Sequence, residues 1–144
     1  MGLTNNKSSA SNPSQRSYMD TTVKVRQFQY ENDSARRILE FLLKENAILK
    51  TRLAELLIEK IGPGDYLETA ELYQAWFIRK DEIINLMRQD IADVDGMLTR
   101  FVYEDGRLKA IAKKQKQICT DLKKLQDAFN ELRNRFNGYW EAIV

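Results

Sequence analysis

At 144 residues and a formal net charge of +2, the chain is long enough for one domain with a real core. Its charge is too close to neutral to signal nucleic acid or membrane on its own. It has no His and one Cys, so imidazole bases, Ser-His-Asp triads, the Glu-x-x-His motif of di-metal bundles and an internal disulfide are all excluded. Charged residues make up 31%, Gly and Pro are scarce and strand-like alternation is almost missing, so the predicted class is all-α.

Residues 1–19 read as a disordered polar tail, with residues 20–144 as a single bundle domain. The start has no apolar core of a signal peptide, and Asn6 stands where a myristoylation site wants Ser or Thr. No stretch approaches ~18 consecutive apolar residues, so the expectation is a cytoplasmic protein with no membrane partner.

The first predicted helix ends at residue 60 and starts at either 21 or 34. Its seam runs Thr21, Val25, Phe28, Asn32, Ala35, Leu39, Leu42, Asn46, Leu49, Leu53 and Leu56, in steps of four and three. The doubt at its start comes from Asn32-Asp33-Ser34, three poor helix formers that make good caps. Within it, LLKENAILKTRLAEL (42–56) resembles a leucine-zipper segment. The long basic region that precedes such segments in zipper transcription factors is missing, with Asp33 and Glu31 lying before Arg36 and Arg37.

Ile61-Gly62-Pro63-Gly64-Asp65 breaks the helix, with Asp65 as a candidate N-cap. The second helix, 66–103, carries the seam Tyr66, Ala70, Tyr73, Phe77, Lys80, Ile84, Met87, Ile91, Val94, Leu98 and Phe101. Glu104-Asp105-Gly106 then turns the chain, because an unbroken helix would put Asp105 in the seam. The third helix, 107–143, repeats the pattern with Leu108, Ile111, Gln115, Ile118, Leu122, Leu125, Phe129, Leu132, Phe136, Tyr139 and Ile143.

These seams mirror one another. Partner positions in helices two and three sum to 209, and those in helices one and two sum to 126. Reversed numbering is what antiparallel neighbours require, and flanking apolar residues such as Ile38, Ile83, Trp76, Cys119 and Trp140 widen each seam enough for two neighbours. The predicted fold is an antiparallel three-helix, up-down-up bundle with coiled-coil-like seams.

Asn46, Lys80 and Gln115 interrupt the seams. The mirror sums put Asn46, Lys80 and Phe129 at one level and Asn32, Val94 and Gln115 at another. These are expected to fix register, with Lys80 laying its stem on Phe129. A small polar site inside the bundle is the other reading.

The first half of the third helix is basic, with Lys109, Lys113, Lys114, Lys116, Lys123 and Lys124 opposed there only by Asp121. Pairing with Asp90, Asp93 and Asp95 is the plain account; a nucleic-acid or phosphate-binding surface, or one for an acidic partner, is the sharper one and the runner-up function. No aromatics are interleaved with these lysines in the sequence, which disfavours nucleic acid as a partner. Cys119 is expected to be a small buried thiol. The acids at 81, 82, 90, 93 and 95 do not converge on one face, so no metal or other cofactor is expected.

A second apolar strip, made of Phe41, Ile48, Ile58, Leu72, Ile78 and Leu86, lies off the main seams. A patch of such residues is an association surface, so the expected partner is a second copy, as a symmetric dimer, or another protein. ENAILKTRLAEL followed by AELYQAWFIRKDEIINLMRQDI resembles a group of bacterial helical proteins with no assigned activity, over residues 38–92. That resemblance implies a bacterial, non-enzymatic protein and assigns no functional residue.

Overall fold

The computed structural model describes residues 13–59, 64–100, 103, 104 and 106–144. Three helices follow in order, α1 (Pro13–Glu59), α2 (Asp65–Arg100) and α3 (Arg107–Ile143), and each packs on both others. The predicted all-α three-helix bundle is the fold.

The seams form because each puts an apolar residue inward on every turn. Leu39, Leu49, Phe77, Ile84, Ile91, Val94, Ile111, Phe129 and Phe136 are all buried in one shared core. Phe136 packs edge-on against both Tyr73 and Phe77, with ring centroids 5.4 and 5.2 Å apart. Tyr73 and Phe136 sum to 209, so the mirror rule holds where it can be read directly. Of the flanking residues, Ile38, Ile83 and Trp140 pack on the core, whereas Trp76 is 40% exposed.

α1 is continuous through Asn32-Asp33-Ser34, which decides its start against residue 34. The reason is that these side chains are engaged in ways that leave the helix intact. Asp33 pairs with Arg36 at 2.8 Å, Ser34 Oγ accepts from Arg37 at 3.3 Å, and Asn32 bonds across the bundle. α1 begins at Pro13, inside the stretch assigned to a disordered tail; residues 1–12 lie outside the described residues. Pro at a first helical position is favourable because its missing N–H would have no partner there.

At the other ends the boundaries move by a few residues. α2 starts at Asp65 itself, and Gly64, at φ 144°, accepts the Leu67 N–H at 3.0 Å in the cap position expected for Asp65. α2 stops at Arg100 rather than 103, with Tyr103 already in the turn. Gly106 has φ 76° and serves as the N-cap of α3, on the far side of the turn from the C-cap expected of it. The Arg107 N–H to Glu104 carbonyl bond, 3.1 Å, closes the reversal. Phe101, Asp105 and the break at 60–63 lie outside the described residues. Among the described residues, no helix is long and apolar enough to cross a membrane.

Candidate interaction face

Of the polar core positions, Asn32 and Gln115 meet as the mirror numbering requires. Gln115 Nε2 donates to Asn32 Oδ1 at 2.9 Å and to Glu31 at 3.2 Å. Asn32 Nδ2 donates in turn to Asp95 at 2.8 Å, and Arg36 closes the chain on the same carboxylate. One buried amide thus ties all three helices together.

The level expected for Asn46, Lys80 and Phe129 forms differently. Asn46 donates to the Phe77 carbonyl and to Asp81, each at 2.8 Å, and Lys50 pairs with Asp81. Asp81, not Lys80, is the partner because one residue turns the helix by ~100°, from the α3 side to the α1 side. Lys80 instead lies half-buried between α2 and α3 with Ala128, Glu131 and Leu132. Desolvation pushes its amine below the usual lysine value, neighbouring Arg79 adds to this, and Glu131 opposes it.

Lys109, Lys113, Lys114, Lys116, Lys123 and Lys124 are all exposed. Among the described residues none of them has a carboxylate within 4.0 Å. The expected pairing with the acidic end of α2 fails because Asp95 turns to Arg36 and Asn32. Asp90 and Asp93 only share a groove with Lys114. Asp81 and Glu82 are taken by Lys50 and Arg79. Among the described residues, no three His, Cys, Asp or Glu side chains form a group that could hold a metal ion.

Phe41, Ile48, Ile58, Leu72, Ile78 and Leu86 are each about half exposed or more, at 48 to 84%. They do not join into one patch. Ile78 borders the α1–α2 groove beside Ala54 and Leu57, and Leu86 borders the α2–α3 groove beside Lys124. Phe41 and Ile48 stand apart from both, seven residues apart on the α3 side of α1.

The placement of that pair follows from two contacts. α1 meets α3 through Glu31 and Arg52, since Glu31 accepts from Gln115 and Arg52 lies 6.0 Å over the Trp140 ring. At seven-residue spacing, Glu31, Ile38, Glu45 and Arg52 form the α3-facing line of α1, and Gln27, Ser34, Phe41 and Ile48 form the next line outward. The same reading of α3 puts Ala112, Cys119 and Trp140 toward α1, with Lys109, Lys116 and Lys123 next outward. Residue numbers differ by 83 at the Asn32–Gln115 bond, so Phe41 is level with Lys123 and Lys124, and Ser34 is level with Lys116 and Gln117.

Phe41 and Ile48, with the uncharged Gln27 and Ser34 on the same line, therefore run beside a lysine row on one face. Val23 and Tyr30, 63% and 69% exposed, add apolar residues on the outermost line of α1. The sequence strip omitted both, although their seven-residue spacing was a visible signal. Cys119, expected to be buried, is exposed; partial desolvation and the Glu31 carboxylate raise its thiol pKa.

No family model, curated protein or solved structure matches the chain.

Proposed function

We propose that the chain is a non-enzymatic interaction module that takes its partner along the α1–α3 face. The observation that carries this reading is the exposed row of Val23, Tyr30, Phe41 and Ile48, lying outside the core on a helix already fixed by two neighbours. Such a row costs solubility without adding to the fold, which favours a use in binding. The sequence has no imidazole, and this reading treats the remaining acids and lysines as structural or binding groups in a cytoplasmic protein.

A second copy is one occupant with a specific feature behind it. Val23 and Ile48, like Tyr30 and Phe41, have numbers that sum to 71, so two α1 helices crossing antiparallel would bring each pair together. The test is sedimentation velocity across a concentration series with Phe41→Asp as the control. A dimer abolished by that change supports self-association; a monomer at every concentration rejects it.

A further inference from the structure

We infer that the α1–α3 face binds single-stranded nucleic acid, with phosphates on the lysine row and bases on the aromatic row. This rests on the interaction-module reading above and names its partner. A single strand is itself two-sided, with a charged backbone along one edge and flat aromatic bases along the other. Proteins that bind it combine a cationic track with exposed rings. Lys109, Lys116 and Lys123 make the track at seven-residue steps, about 10 Å apart by helix rise. Phe41 and Tyr30, 56% and 69% exposed, supply ring faces from α1. Lys113, on the outermost line of α3, is level with Tyr30.

The surrounding charges favour an anionic occupant. The two rows contain no carboxylate from Gln27 to Ile48 or from Lys109 to Lys123. Of the nearby acids on α1, Asp33 is paired with Arg36 and Glu40 with Lys44, while Glu31 accepts from the neutral Gln115 amide and keeps its charge. Glu45 lies half-buried on the α3-facing line. A second copy fits less well, because a two-fold axis would set each lysine row against its own image and oppose like charges. An amphipathic protein helix fits less well too, since it needs apolar positions on both walls and α3 offers lysines.

The probe is a fluorescein-labelled oligothymidylate of about 20 nucleotides, followed by anisotropy over a salt series. Binding at low salt should weaken about tenfold or more when the salt rises fourfold. K109E/K116E/K123E should abolish it, while R79E/R88E/R100E, which shifts net charge equally on exposed α2 positions, should leave most of it. Phe41→Ala should lose on the order of 5- to 150-fold, the range measured for one stacked base, and Leu72→Ala on α2 should lose none.

Absence of binding at low salt overturns the proposal, as does equal loss in both triple-charge variants. If the oligonucleotide fails to bind while salt strengthens a dimer that Phe41→Asp abolishes, the occupant is a second copy and only the nucleic-acid assignment falls. If neither probe nor dimer is seen, the interaction reading falls with it.

Discussion

The two halves of the bundle are built on different physics. Near the α1–α2 break, Tyr66, Tyr73, Phe77, Phe136 and Tyr139 form a ring cluster, with the Tyr139 hydroxyl donating to the Tyr66 carbonyl at 2.7 Å. Near the Gly106 turn, the core carries the Asn32–Gln115–Asp95 chain, and the surface is lined with lysines lacking carboxylates. The first half draws its cohesion from the rings, which are nearly indifferent to register, and leaves orientation to Asn46, which donates to the Phe77 carbonyl and to Asp81. The second half contributes orientation, because each amide accepts only one arrangement of partners. Its exterior carries the exposed lysines of α3.

The largest test of this contrast is Phe136→Ala, which opens a cavity beneath both Tyr73 and Phe77. It should cost about 3–5 kcal/mol in denaturant unfolding, with no change in the α1–α3 face. If the loss were under ~1 kcal/mol, the ring cluster would not be the main source of cohesion. Asn32→Ala should cost about 2 kcal/mol by leaving Gln115 and Asp95 short of a partner. It should also loosen the lysine half selectively, seen as faster amide exchange in 107–120 than in 129–140. Uniform exchange would erase the distinction between the halves.

Gly106→Ala sharpens the role of the turn. Nothing lies within 4 Å of the added Cβ, so the cost comes only from the backbone at φ 76°, about 1–2 kcal/mol in the same unfolding measurement. Lys80→Met should have the smallest effect, and it should be a gain. A lysine whose folded pKa lies below its unfolded value of 10.5 disfavours the fold at neutral pH, and that penalty fades as pH rises toward 10.5. The variant should therefore melt higher than the parent near neutral pH, and the gain should shrink in alkaline buffer. A constant gain would assign the effect to packing rather than desolvation.

The seams, the turn and the Asn32–Gln115 level were legible because burial imposes a period and antiparallel neighbours impose reversed numbering. Lys80 shows where that logic stops. A mirror sum gives height along the bundle but not angle around the helix, and Asp81 took the place expected of its neighbour. Cys119 fails similarly, since residues beside a seam divide between buried and exposed according to how closely the neighbouring helix approaches. The union of Phe41 with the lysines of α3 was invisible in the linear sequence. The two rows lie about 80 residues apart and meet only because α1 and α3 run parallel.

An odd number of helices also has an electrical consequence. α1 and α3 run the same way and α2 runs against them, so the backbone dipoles of two helices cancel and one remains. At the Gly106 turn the negative end of α2 sits beside the positive start of α3, each on the order of half an elementary charge, and the two offset each other. The positive end left over is the start of α1 at Pro13, beyond the turn, so the lysine-rich half owes its potential to side chains alone.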